Sequence, residues 1–106
     1  MQKKEYIKYW VNSANHDIKS CIILIASKRN LHALFFAHLY LEKLCKAIWV
    51  SNNVDNIPPR THNLIFILEK SNIDIPTEVM NFLLVRTSEI INQTKITGKW
   101  LLNQIH

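Results

Sequence analysis

The stretch LHALFFAHLYLEKLCKAIWVS, residues 31–51, decides the fold of this chain. Its apolar residues recur at alternating steps of three and four, the spacing that places side chains on one face of an α-helix. These residues are Leu34, Ala37, Leu41, Leu44 and Ile48. Phe35, Phe36 and Cys45 lie alongside this row, and Asn30 before it is a suitable N-cap. We therefore expect a long helix with a wide buried face.

The residues before this stretch repeat the same period over about residues 5–28. One apolar row runs through them, formed by Ile7, Val11, Ala14, Ile18, Cys21 and Ile25. The connection between the two predicted helices is very short. The helices must therefore pack antiparallel, as a helical hairpin.

After this hairpin comes a loop over residues 52–61, where Pro58 and Pro59 exclude a helix. Apolar spacing predicts three shorter helices, over about residues 62–71, 76–85 and 89–104. Gly98 in the last of them costs about 1 kcal/mol relative to alanine. One glycine and three prolines in 106 residues disfavour a many-stranded fold. We expect a single all-α domain over residues 1–106, an up-and-down bundle of four to five helices with the long antiparallel hairpin at its core.

The net charge of +5 suits a negatively charged partner such as a nucleotide, RNA or an acidic protein. An alternative is a codon bias, because Ile and Asn supply 15 and 11 residues, as expected of an AT-rich genome, which also inflates Lys.

Two features predict a cytoplasmic protein with no membrane segment. The longest apolar run, residues 21–26, is far shorter than the roughly 20 residues of a membrane span, and the N-terminus does not resemble a secretory signal. Cys21 and Cys45 lie in apolar helical contexts, so we interpret them as reduced, buried thiols.

Three stretches together resemble the HEPN family. They are WVNSANHDI at residues 10–18, FAHLYLEKLCKAI at 36–48 and PRTHNL at 59–64. The order of these stretches, and the long loop between the second and the third, also match. After the fourth helix the chain departs from the family: Arg86 can match a family arginine, but no Tyr-Pro follows it.

The resemblance implies a prokaryotic homodimer formed through the two long helices. Trp10 and Phe35 or Phe36 are candidates for the apolar patch that self-association would cover. It also implies a partner protein, since small HEPN domains commonly accompany a minimal nucleotidyltransferase.

Catalytic HEPN ribonucleases carry an arginine, four to six residues, and then a histidine. In that arrangement arginine stabilises the developing phosphorane and histidine moves the proton of the 2′-hydroxyl. The arginines that precede a histidine here do so at other separations: Arg29 and His32, Arg60 and His62, Arg86 and His106. We therefore predict no catalytic residue and lean against an enzyme.

The resemblance and the spacing give a candidate ligand-binding set: Asp17, Glu42, Lys43, Lys46, His62 and Arg86. In the functional interpretation the three cations contact phosphate, and Glu42 or Asp17 orients them. In the structural alternative, Asp17 pairs with Lys46 and fixes the register of the two long helices.

His62 is expected at the start of a helix, where it would be a general base, a phosphate donor, or a packing or capping residue. His16, His32 and His38 have no strong companion at ligand spacing, so we predict no metal site and no cofactor.

The leading hypothesis is a regulatory or binding module of a prokaryotic two-gene, toxin–antitoxin-like system, partner of a minimal nucleotidyltransferase, with a nucleotide as candidate ligand. The alternatives are a metal-independent ribonuclease with an unusual Arg/His site and a non-catalytic dimeric scaffold.

Overall fold

The structure, a computed structural model, describes residues 2–84 and 90–105. It contains the helices α1 (Lys3–Ala26), α2 (Asn30–Asn52), α3 (Leu64–Glu69), α4 (Thr77–Leu84) and α5 (Ile90–Leu102). Within those residues there is no strand. The prediction of an all-α bundle built on two long antiparallel helices is therefore confirmed.

The hairpin turns within three residues. Lys28 adopts a left-handed backbone conformation with φ of 60°. The Lys28 amide donates to the Ile25 carbonyl at 2.9 Å, and the Arg29 amide to the Leu24 carbonyl at 2.8 Å. These two bonds form a Schellman motif that satisfies the last carbonyls of α1. The N-cap of α2 is then Arg29, not Asn30, which is already helical.

Helix α2 is the core of the bundle because it packs against α1, α3 and α5. Ten of its 23 residues are buried, against three of 24 in α1. The predicted row of α2 is buried except for Leu34, which is exposed. Phe35 is 60% exposed, so the expectation that it widens the buried face is wrong.

Helix α5 crosses α2 at a glycine. A methyl group added at Gly98 would overlap the ring of Tyr40, which is 6% exposed. The residue that weakened the helix prediction is therefore the one that lets the two helices approach.

The start of α3 corrects the position of His62. Asn63 is the N-cap, and its side-chain oxygen accepts from the Phe66 amide at 3.1 Å. The helix begins at Leu64, so His62 lies in the preceding loop rather than in the first turn.

Side-chain amides and one ammonium hold the loop after α2 in place. The Lys3 Nζ donates to the carbonyls of Val50 and Asn53 at 2.8 and 2.7 Å, and to Asn56 Oδ1 at 2.8 Å. The Asn52 amide donates to the Ser71 carbonyl at 2.9 Å, which ties the end of α3 to the end of α2.

Candidate functional site

Three polar residues occupy successive turns of one face of α2: His38, Glu42 and Lys46. Glu42 is the buried member, with a side chain 5% exposed. Its Oε1 lies 2.6 Å from His62 Nδ1, and its Oε2 accepts from Lys46 Nζ at 3.2 Å. Both oxygens of a buried carboxylate are therefore satisfied, as burial of a charge requires.

The Glu42 carboxyl is held in its ionised form. Burial alone raises its pKa, but the hydrogen bond to His62 and the charge of Lys46 lower the pKa by more, so it lies below its ordinary value. An ionised carboxylate only accepts hydrogen bonds, so His62 Nδ1 must be the donor. The His62 side chain as a whole is 83% exposed, although its Nδ1 meets the buried carboxylate.

His38 completes the cluster from one turn before Glu42. Its Nε2 lies 3.4 Å from Glu42 Oε1 and 3.1 Å from the carbonyl oxygen of His62. One ligand-type atom from each of His38, Glu42 and His62 lies within 4.8 Å of the other two. Two imidazoles thus converge on one oxygen of a buried carboxylate.

A separate ion pair joins the long helices. Lys43 Nζ lies 2.6 Å from Asp17 Oδ2, and both side chains are largely buried. The predicted pair of Asp17 with Lys46 is therefore wrong. Lys46 stands one turn after Glu42 and bonds that carboxylate within its own helix, so Lys43 is the lysine that pairs with Asp17 of α1.

An aromatic groove adjoins the cluster. It has a volume of about 300 Å³ and is lined by Tyr6, Tyr9, Trp10, Asn56, Ile57 and Pro58. The Tyr9 and Trp10 rings meet edge to face with centroids 5.2 Å apart. Lys46 Nζ lies 5.3 Å from the centroid of the Trp10 ring, within the range of a cation–π contact. Trp10 therefore belongs both to the groove and to the surroundings of the Glu42 cluster.

The family model of the HEPN domain matches residues 7–99. The chain belongs to the HEPN family. No curated protein and no solved structure matches it. HEPN domains are often related to nucleases or to toxin–antitoxin systems, and they often dimerise. In the described part of this HEPN domain, no helix is long and apolar enough to cross a membrane.

The HEPN match contains all the residues predicted for the ligand site, and the structure divides them into two groups. Glu42, Lys46 and His62 meet in one cluster, whereas Asp17 and Lys43 form the pair between the long helices. Arg86 lies outside the described residues. Lys43 and Lys46 each bond a carboxylate, and the pair between the two long helices has Lys43 where the structural alternative had Lys46.

Two features of this HEPN domain were missed by sequence reasoning. The spacing placed His38 one turn before Glu42, but nothing indicated that His62 would meet both across the loop. The groove was missed because its walls come from α1 and from residues 56–58, which only the folded loop brings together. Nor does the structure join Trp10 to Phe35 in one apolar patch. Trp10 contacts Lys46, which lies about 16 Å further along α2 than Phe35 at 1.5 Å per residue.

Proposed function

We propose that this HEPN domain is a regulatory binding module of a prokaryotic two-gene, toxin–antitoxin-like system. It acts in the cytoplasm as the partner of a minimal nucleotidyltransferase, and it binds a nucleotide. One observation supports a nucleotide as the ligand: Trp10 forms a wall of an aromatic groove and also contacts the ammonium of Lys46.

A nucleotide needs a flat apolar surface beside a cation. Tyr9, 57% exposed, and Trp10 offer aromatic surface on which a base can stack, and such stacking contributes roughly 1–3 kcal/mol per base. An ammonium carries three donors, and Lys46 directs one to Glu42, so a phosphate oxygen can join the groups around it. The base would lie in the groove and the phosphates would lie beside Lys46.

Calorimetric titration with ATP and GTP in the presence of chelator tests the ligand. We expect Tyr9→Ala to weaken binding roughly tenfold, the loss of one stacking contact. Lys46→Met removes the phosphate partner and should weaken binding of triphosphate more than of nucleoside.

The chain contains a matched control for both variants. Lys70 Nζ lies 5.6 Å from the centroid of the Phe66 ring, a second lysine–aromatic pair away from the groove. Phe66→Ala and Lys70→Met should leave the affinity unchanged. Equal losses in the groove variants and in these controls, or no binding at millimolar nucleotide, would contradict the proposal.

Exposed apolar side chains at the turn between α1 and α2 support contacts with other protein chains, among them the expected homodimer. Apolar side chains from the end of α1 and the start of α2 are exposed there: Ile22, Ile23, Leu31, Leu34 and Phe35. An exposed apolar group of this kind marks an interaction surface. Sedimentation of Phe35→Ser tests the homodimer, which we expect to dissociate at concentrations where the wild-type protein stays dimeric. Asn12→Ser, an exposed substitution on α1, is the control.

The two-gene assignment has a direct test. A minimal nucleotidyltransferase encoded beside this gene, co-expressed with the HEPN chain, should co-purify with it as a stoichiometric complex. Absence of such a neighbour, or failure of the two proteins to associate, counts against this part of the proposal alone.

The hydrogen bond between Glu42 and His62 favours one second candidate, the metal-independent ribonuclease. A carboxylate that orients an exposed imidazole is an arrangement used in general base catalysis. Incubation with RNA in chelator should then give cleavage that His62→Ala abolishes and that the exposed control His32→Ala retains. If neither nucleotide binding nor cleavage is found, the non-catalytic dimeric scaffold remains.

A further inference from the structure

We propose that His38, Glu42 and His62 form a binding site for a divalent transition-metal ion of the Zn²⁺ class. This site adjoins the proposed nucleotide groove, because Lys46 bonds Glu42 and also lies against Trp10. It reverses the expectation from sequence that the chain holds no metal. Two imidazoles and a carboxylate are ligands that suit such an ion.

Two of the three distances between ligand atoms can be compared with those around a tetrahedral ion. Zn²⁺ with ligand bonds near 2.0–2.1 Å holds neighbouring ligand atoms about 3.4 Å apart. His38 Nε2 and Glu42 Oε1 are already 3.4 Å apart. His62 Nδ1 is closer to Glu42 Oε1, at 2.6 Å, because the two share a hydrogen bond. An ion that replaces the Nδ1 proton of His62 would need these two atoms to separate by roughly 0.8 Å, the difference from the tetrahedral spacing. His38 Nε2 would also have to give up the hydrogen bond it donates to the His62 carbonyl, with the neutral ring carrying its proton on Nδ1 instead.

The positions of the three residues allow that movement where it is needed. His38 and Glu42 are fixed four residues apart on α2, the central helix. His62 lies in the loop before α3, and its side chain is 83% exposed, so its ring can shift toward solvent without loss of packing. Two ligands are therefore preset, and the third is adjustable.

Lys46 supplies the outer partner that a ligating carboxylate usually has. Its Nζ holds Glu42 Oε2 at 3.2 Å and leaves Oε1 directed at the two imidazoles. Outer hydrogen bonds of this kind orient metal ligands and contribute 10–100-fold in affinity. The positive charge of Lys46 also repels the metal ion, so we expect moderate rather than very tight metal binding.

Three protein ligands leave the fourth position of a tetrahedral ion open. In zinc proteins this pattern is typical of sites where water or substrate completes the coordination. Because the side chain of His62 is 83% exposed, we expect a solvent molecule or an anionic ligand group to reach that position.

The test is titration of the full, untagged chain with Co²⁺, which reports ligand geometry through its visible absorption, followed by competition with Zn²⁺. We expect one equivalent of Co²⁺ to bind with the intense visible bands of four-coordinate geometry. The near-ultraviolet band of thiolate ligation should be missing, because Cys21 and Cys45 are buried in the core.

Variants locate the ion. His38→Ala and His62→Ala should each weaken Co²⁺ and Zn²⁺ binding at least tenfold, as expected for loss of a ligand. His16→Ala and His32→Ala remove exposed histidines from α1 and α2 and should leave binding unchanged. Far-ultraviolet circular dichroism checks that each variant is folded, and His62→Ala is the decisive one because that side chain packs least.

Three results would overturn the site: no binding of one equivalent, unchanged affinity in the His38→Ala/His62→Ala double variant, or a thiolate band. Each would leave the cluster as a hydrogen-bonded network. Because the nucleotide titration is done in chelator and the Co²⁺ titration without nucleotide, either proposal can fail without the other.

Discussion

Gly98 of α5 lies so close to Tyr40 of α2 that a single methyl group at residue 98 would overlap the phenol ring. In an exposed helix, replacing glycine by alanine stabilises by about 1 kcal/mol. At this crossing the sign is reversed, since the buried ring has little space into which to move.

We expect Gly98→Ala to lower the free energy of unfolding by roughly 1–3 kcal/mol, the usual cost of overpacking. Urea denaturation measures the loss. Tyr40→Phe removes the oxygen nearest to the added methyl group, so the double variant should recover part of the stability relative to the sum of the single changes. A stabilised Gly98→Ala protein would show that α5 does not approach α2 as described.

Lys28 gives the opposite expectation. Its φ of 60° costs a residue with a side chain roughly 1–2 kcal/mol, and glycine adopts this conformation freely. Lys28→Gly should therefore raise the free energy of unfolding by roughly 1 kcal/mol. Lys19→Gly, within α1, is the matched control and should destabilise by a similar amount. Loss of stability in both variants would argue against the Schellman turn.

The pair of Asp17 and Lys43 should respond asymmetrically. Lys43→Met leaves the carboxylate of Asp17 buried without its cation, which costs roughly 3 kcal/mol. Asp17→Asn should cost less, because the longer lysine can turn its ammonium toward water. The double variant should be more stable than Lys43→Met alone in urea denaturation. Strictly additive losses would mean that the two side chains do not interact.

We expect the free energy of unfolding to fall at alkaline pH because the Cys21 thiol is buried. Burial raises the pKa of the Cys21 thiol, and Lys95 lowers it by a smaller amount. Above the ordinary thiol pKa, about 8.5, the unfolded chain releases a proton that the folded chain keeps. The free energy of unfolding then falls as pH rises, by at most about 1.4 kcal/mol per pH unit, until the folded pKa is reached.

Urea denaturation between pH 7.5 and 9.5 measures this slope. Cys21→Ala should make it shallower, whereas Ser20→Ala, which removes no titrating group, should not. If Cys21→Ala leaves the slope unchanged, the pH dependence does not come from the Cys21 thiol. Burial also raises the pKa of Tyr40, which adds a loss of the same sign nearer pH 10.

Local periodicity was enough to predict the helices, since each pattern lies within one stretch of chain. The row from Ala14 to Cys21 packs against α2 as its spacing indicates. Helix ends were less certain because caps decide them: the side chain of Asn63, not the histidine before it, ends the loop ahead of α3.

The site was harder to predict because it depends on contacts across the loop. Spacing indicated that Glu42 and Lys46 share a face of α2, and they do. It could not tell which lysine pairs with Asp17, because Lys43 and Lys46 are three residues apart and lie on the same side of α2. Spacing also could not predict the contact between His62 and Glu42, because that contact depends on the path of the loop over residues 53–63.

The ammonium of Lys3 reaches residues 47 to 53 positions further along the chain. One wall of the aromatic groove, at Asn56, is thereby bonded to the first turn of α1, the part of a helix that opens most readily. Fraying of that turn would therefore also detach Asn56 from α1, while the Asn53 side chain still bonds the loop to Trp49 and Lys70. Amide hydrogens of that first turn should exchange far faster than those of the buried middle of α2.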